Sequence, residues 1–480
     1  MLVILAIQGV ALQLAEREGF EPSVRSHVRL ISSQVHSTTL PPLRLSRLRS
    51  IGRLIEPVNS CACIFLSSLP AVRWLRHTAS SIEAVQARTS KGTAAVKLSR
   101  RLDAIAPFQV MAILEKARAL QAAGHDVIHL EIGEPDFATP QAIVDAGRAA
   151  LAAGHTFYTA AQGLPQLREA IAGHYASQFG VTVAPQRIIV TPGASGALQI
   201  ALSLLVDEGD GVLMADPTYP CNRHFVSLLG GQPQAVAVDA ASRFQLLAAD
   251  ADAHWQANTV AAMVATPANP TGTMLTADEV AALAAVCRAR GGALIVDEIY
   301  QGLCYGQAPF SALALADDAF VINSFSKYFQ MTGWRLGWLV VPDAYVEPAL
   351  RLAQNLFLCA PAAAQYAALA AFQPAVLAEL EARRAEFGRR RDYLLQALPQ
   401  LGWRVPAQPD GAFYVYADVS AVTDDSFAYC QRVLDEVQVA ITPGADFGAH
   451  QAGRYVRVAY TTGVERLAEA VARIATLPRR

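Results

Sequence analysis

No aspartate occurs before Asp103, and lysine is almost as scarce there. Residues 1–95 hold ten arginines and one lysine against five glutamates, a net +6, so in a chain of net charge −2 the remainder carries −8. The same stretch shows neither sustained helical periodicity nor clean strand alternation, which makes it a poor candidate for a folded domain. Its apolar opening, residues 1–15, lacks a basic leader, is interrupted by Gln8 and Gln13 and is too short to span a bilayer, so it reads neither as a secretion signal nor as a membrane anchor. Arg-rich, Ser-rich and acid-poor sequence suits an organelle transit peptide. A second reading suits the residues better: Gly19-Phe-Glu-Pro22 is what GGN-TTC-GAA-CCN encodes, as in the T-arm of a transfer RNA gene, and residues 17–24 and 36–44 look like translation through such a gene. On this reading residues 1–95 are a spurious or disordered extension, and the natural start lies near Val96, just ahead of Lys97-Leu-Ser-Arg-Arg-Leu.

Metal-ligand spacing is also missing. The seven cysteines are scattered, only Cys61-Ala-Cys63 being close, and that pair lies in the doubtful segment. Reduced thiols in a cytoplasmic protein without a metal are expected. The acidic balance of the remainder argues against nucleic acid as a partner. What is present is apolar bulk: 53% hydrophobic and 17% charged residues over 480 positions describe a compact soluble enzyme with no internal repeat.

From residue 187 onward, short apolar runs at 187–190, 211–215, 260–265, 293–296, 319–323 and 337–341 alternate with helical stretches. This predicts a mostly parallel sheet covered by helices on both faces, with ligands outside the carboxyl ends of the strands. After residue 376 the pattern becomes α+β: a charged helix at 379–398, strands at 411–416, 437–441 and 455–459, a helix near 426–436 and a last helix from Val464. The expected organisation is an arm and part of a small domain at 96–144, a large domain at 145–376 and the rest of the small domain at 377–480.

Chemistry concentrates at the ends of the apolar runs. Thr191-Pro-Gly-Ala-Ser-Gly joins a strand to an Ala/Leu-rich helix, and small residues there leave backbone N–H groups open to a phosphate, although an ordinary turn would look the same. Asn269-Pro-Thr-Gly272 after a strand reads on its own as a turn. Asp297, ending another strand with Tyr300 three residues on, needs either a helix N-terminus to cap or a cation to face. Ser324-Phe-Ser-Lys327, with Arg335 eight residues later, suits a carbonyl cofactor that carries a phosphate, lysine supplying the imine nitrogen and serine and arginine the phosphate contacts. A solvated lysine and a surface arginine would be the plainer reading of that run alone.

The order and spacing of these motifs, with Tyr219 after the second of those strands, resemble the fold-type I pyridoxal-phosphate enzymes of the class I aminotransferase family over residues 97–480. The resemblance implies an α/β fold: a mostly parallel seven-stranded sheet sandwiched by helices, plus a smaller α+β domain built from both ends of that segment. It implies that Lys327 forms an aldimine with pyridoxal 5'-phosphate and moves the substrate α-proton. Asp297 would pair with the pyridinium nitrogen, Asn269 and Tyr300 would bond the ring oxygen, and Tyr219 would stack on the ring. Ala194, Ser195, Ser324 and Arg335 would hold the phosphate, with Tyr158 reaching the neighbouring active site of a homodimer. Arg457 would grip the substrate α-carboxylate beside the backbone of Gly133. Phe137 and Phe357 are candidates for the side-chain pocket, with core packing the commoner fate of a lone aromatic.

The function implied is ping-pong transfer of an amino group from an L-amino acid to a 2-oxo acid. A carbon–sulfur β-lyase or related α-carbon chemistry remains compatible with the same motifs, and a non-enzymatic sensor domain less so, since residues 1–95 offer no helix pair for reading DNA. The stretch 356–365 has no basic residue, which favours neutral or aromatic substrates over aspartate. The DNA upstream of codon 96 is expected to read as transfer RNA-like sequence; ordinary coding sequence there would sink the proposed start.

Overall fold

The computed structural model describes residues 97–105 and 109–478; the expectations for residues 1–95 lie outside them. Twelve strands are present among the described residues: β1 (Ile128–His129), β2 (Ile188–Thr191), β3 (Gly211–Asp216), β4 (Gln232–Ala237), β5 (Thr259–Ala265), β6 (Ala293–Asp297), β7 (Phe320–Ser324), β8 (Gly337–Val340), β9 (Tyr414–Asp418), β10 (Val439–Ala440), β11 (Thr442–Pro443) and β12 (Tyr455–Ala459). Seven form one sheet in the order β2-β8-β7-β6-β5-β3-β4. Neighbours from β7 to β4 run parallel, whereas β8 lies antiparallel to both β2 and β7.

All six apolar runs of the large sheet became strands. The seventh, β4, is an edge strand whose Gln232, Ala235 and Ala237 are exposed and which holds Pro233, so it lacks the continuous apolar signal of a strand covered on both faces. The central strands owe their character to burial on both sides. Alternate residues enter different cores: Ile189, Met263, Ile295, Ile322 and Leu339 pack with the helices Gly193–Leu205 and Val346–Leu356, while Val190, Val264, Val296, Val321 and Trp338 pack with Pro165–Phe179 and Ala277–Ala289. The last of these helices begins on a capping box between Thr276 and Glu279, which satisfies two backbone donors that would otherwise lack partners.

A second layer is built from both ends of the described chain. β11, β12 and β9 form an antiparallel sheet, and β1 pairs in parallel with β10, Ile128 opposite Val439. The 24-residue helix Pro374–Ala397 leads from the large sheet into this layer. The α/β expectation with a smaller α+β part is therefore met.

The antiparallel insertion of β8 has a consequence for the site. Its first residue, Gly337, stands opposite both Thr191 at the end of β2 and Ser324 at the end of β7, so the start of β8 lies on the edge where the parallel strands finish. A Cβ at Gly337 would stand 2.7 Å from the Gly193 carbonyl carbon, 2.8 Å from the Ala194 nitrogen and 2.9 Å from the Asn323 carbonyl oxygen. All three are backbone atoms and cannot rotate away. Gly337→Ala should cost about 1–3 kcal/mol in urea unfolding through overpacking, and a loss under about 0.5 kcal/mol would contradict this packing.

Candidate active site

The ends of β3, β5, β6 and β7 deliver Tyr219, Asn269, Asp297 and Ser324 to one edge of the large sheet, with Lys327 three residues past β7. Asp297 is buried and takes one hydrogen bond, from the Ile299 N–H at 3.0 Å. Burial pushes its carboxyl up to about 6, against the opposing pull of the Ile299 N–H and the Lys327 charge. Lys327 Nζ donates to the Gly133 carbonyl at 2.6 Å and lies 5.7 Å from the centre of the Phe413 ring. Burial lowers this amine to about 8; the Glu134 and Asp297 carboxylates resist and Arg457 and Arg335 assist. An amine lowered that far is neutral in roughly a tenth of the molecules at pH 7, far more than an ordinary lysine, and the neutral form is the one that attacks a carbonyl.

A candidate anion seat lies where β2 passes into the helix Gly193–Leu205. That helix starts without a side-chain cap, leaving its first N–H groups free for an external acceptor. A Cβ at Gly193, whose φ is +71°, would stand 2.8 Å from Arg335 Nη2. The guanidinium therefore lies over the positive end of the helix, an arrangement that repels itself unless an anion sits between. Arg335 donates to the Thr332 carbonyl at 2.9 Å and forms no ion pair among the described residues. Ala194 is half-buried and Ser195 exposed in the same turn. The buried Ser324 hydroxyl lies 3.0 Å from the Leu336 carbonyl and 2.9 Å from Ser326 Oγ, and accepts from the Ser326 N–H at 3.0 Å. Ser326 was not singled out from the sequence; its place one residue before the lysine was the available signal.

Opposite stands Arg457, on β12, only 5% exposed. It donates to Asn269 Oδ1 at 3.0 Å, to the Glu131 carbonyl and to Thr442 Oγ1 at 3.3 Å. Its guanidinium carbon lies 4.5 Å from the centre of the Tyr414 ring and 4.8 Å from that of Phe447. No carboxylate pairs with it among the described residues, and its buried Nε has no acceptor. Such a buried cation is costly unless a ligand supplies the missing anion.

Tyr300 is buried and shares a 2.8 Å hydrogen bond with the hydroxyl of Tyr414. Tyr414 was read from sequence only as part of a strand. The half-buried Tyr219 hydroxyl accepts from Cys221 Sγ at 3.2 Å, and burial raises its phenol. Tyr158 is 80% exposed and makes no hydrogen bond to any of these residues. Phe137 packs edge-on against Phe387 with Arg383 and Arg390 within 5.2 Å of its ring centre, and the partly buried Phe357 packs against the core that includes the helix Gly193–Leu205.

A lysine of lowered basicity, a buried carboxylate, an uncapped helix start under an arginine and a buried arginine without a counter-ion define a site for an amine-exchanging phosphorylated carbonyl cofactor. The chain matches the family described as "Aminotransferase class I and II" over residues 125–474. It is 40% identical over 375 residues to the valine–pyruvate aminotransferase of Mycobacterium tuberculosis, covering 77% of this chain and 96% of that relative. It is 36% identical over 391 residues to an aspartate aminotransferase of Geobacillus stearothermophilus, covering 79% and 98%. The crystal structure of an aminotransferase from Mycobacterium tuberculosis matches with a TM-score of 0.77 at 39% identity, covering 79% of this chain and 98% of that one. The chain belongs to the class I and II aminotransferases and is a transaminase dependent on pyridoxal phosphate. The residues present fit that group: the cradle between Gly193 and Arg335 suits its phosphate, and the buried Asp297 carboxylate suits its protonated ring nitrogen.

Covalent capture of pyridoxal phosphate by the apoprotein should speed up as pH rises through about 8 and level off above it, following the neutral Lys327 amine. Stopped-flow absorbance checks this, and a rate still climbing at pH 10 would mean an ordinary, solvated lysine.

Proposed function

We propose that this chain moves the amino group of a neutral L-amino acid to a 2-oxo acid by a ping-pong sequence, at a site in which Lys327 is the catalytic base. Pyridoxal phosphate, when bound, supplies a carbonyl that amines exchange on and a ring that draws electrons from the substrate α-carbon. Arg457, helped by the backbone at Gly133, binds the α-carboxylate and so orients the α-carbon. Lys327 Nζ would hold the cofactor's carbonyl group and, in its neutral form, would serve as the base for the substrate α-proton. Asp297 holds the ring nitrogen protonated, Tyr219 packs against the ring face, and Asn269 and Tyr300 bond the ring oxygen. The first turn of the helix Gly193–Leu205, including Ala194 and Ser195, joins Ser324 and Arg335 around the phosphate. Tyr158, exposed beside the equally exposed Phe157, completes the neighbouring site in a cytoplasmic homodimer.

The observation that carries this reading is Arg457: buried, charged, and without a carboxylate among the described residues. Absence of any basic residue in 356–365 supports a neutral or aromatic side chain, and the relative named for valine and pyruvate points the same way.

With a panel of amino acids and pyruvate or 2-oxoglutarate as acceptor, parallel double-reciprocal lines and 2-oxo acid release without ammonia are expected. Ammonia with pyruvate from cystathionine would instead indicate β-elimination. Arg457→Leu should raise KM for both substrates roughly 10- to 100-fold, the scale of lost charge-assisted bonds, and Lys327→Ala should abolish turnover. Retained turnover in Lys327→Ala would refute the assignment.

A further inference from the structure

Tyr414 touches three of the groups to which the proposed function gives separate tasks. Its hydroxyl shares the 2.8 Å bond with Tyr300, and its ring lies under the Arg457 guanidinium at 4.5 Å. A Cβ at residue 133 would fall on that same hydroxyl, so Tyr414 and the glycine whose carbonyl accepts from Lys327 Nζ fit only as a pair. The side chain is 1% exposed and opens β9, with Ala459 opposite it and Arg457 opposite Tyr416. Tyr414 and Arg457 are therefore diagonal neighbours on one face of a sheet, placed by strand register rather than by a loop.

Two hydroxyls sharing one hydrogen bond have one donor between them. When Tyr300 turns its proton outward to a ligand oxygen, only Tyr414 can donate into Tyr300. Donation from Tyr414 withdraws charge from the Tyr300 oxygen and makes Tyr300 the stronger donor, as in any chain of hydroxyls. The Arg457 charge over the Tyr414 ring acts in the same sense, drawing its phenol toward greater acidity against the upward push of burial.

We infer that Tyr414 is a positioning residue that holds Tyr300 as a donor toward the cofactor through its hydroxyl and holds Arg457 in its carboxylate-binding pose through its ring. The inference rests on the proposed function and separates into two halves that different substitutions address. Tyr414→Phe keeps the ring under Arg457 and deletes the donor to Tyr300. Tyr414→Leu deletes both.

The test uses holoenzyme and reads the pH midpoint of the bound cofactor's visible absorbance together with kcat and KM. With Tyr300 weakened, Tyr414→Phe should move the midpoint upward by roughly 0.4 to 1 pH unit, the scale of one neutral hydrogen bond, with KM for the amino acid within about twofold of the parent. Tyr414→Leu should add a KM increase of roughly tenfold. If Tyr414→Leu does not fold, judged by thermal melting, the Phe variant alone decides. A midpoint in Tyr414→Phe within about 0.2 unit of the parent would overturn the inference, as would a KM increase equal to that of Tyr414→Leu. Failure of the parent to transaminate would instead remove the functional reading on which it rests.

Discussion

The guanidinium of Arg457 is where three stretches of the chain meet. It reaches from β12 to Asn269 beyond β5 of the large sheet, and to the Glu131 carbonyl just past β1. Without a carboxylate partner among the described residues, its charge is held by neutral acceptors and two aromatic faces, Tyr414 and Phe447. Each of those contacts also fixes a neighbour: Asn269 sits beside the strand ends, Glu131 precedes the glycine that receives Lys327, and Tyr414 bonds Tyr300.

That arrangement needs a rigid base, which the doubly covered sheet provides. Its central strands β6 and β7 are apolar on both faces through most of their length and become polar at the carboxyl ends, where Asp297 and Ser324 close them. The single antiparallel insertion of β8 brings Gly337, and with it the neighbouring Arg335, to that same edge between β2 and β7. The meeting of a helix start from one strand with an arginine ahead of another follows from this topology. Burial then sets the chemistry, lowering the Lys327 amine to about 8 and raising the Asp297 carboxyl to about 6.

Much of this was legible in the residues. Both-face burial writes continuous apolar runs, so the central strands could be read directly, and the polar residues at the ends of those runs are the ones the fold gathers on one edge. The edge strand β4 was not, because an exposed edge with glutamines and a proline carries no such run. Arg335 lies two residues ahead of a strand rather than past the end of one, and only the antiparallel direction of β8 puts it on this edge. Tyr414 and Ser326 escaped because nothing local distinguishes a tyrosine at a strand start or a second serine from their packing roles; their importance lies in contacts with residues at 300, 457 and 324. The exposed Tyr158 shows the reverse, a residue singled out from the sequence that lies at the surface of the single chain, where only the proposed function gives it a task.

Only four lysines occur in the 480 residues, at positions 91, 97, 116 and 327, which makes the central claim open to one direct measurement. Adding pyridoxal phosphate to the protein and reducing with borohydride fixes the cofactor to whichever amine holds it, and peptide mass spectrometry locates the adduct. The structure predicts near-stoichiometric labelling of the peptide containing Lys327. Labelling spread over Lys97 and Lys116 with Lys327 unmodified would contradict it.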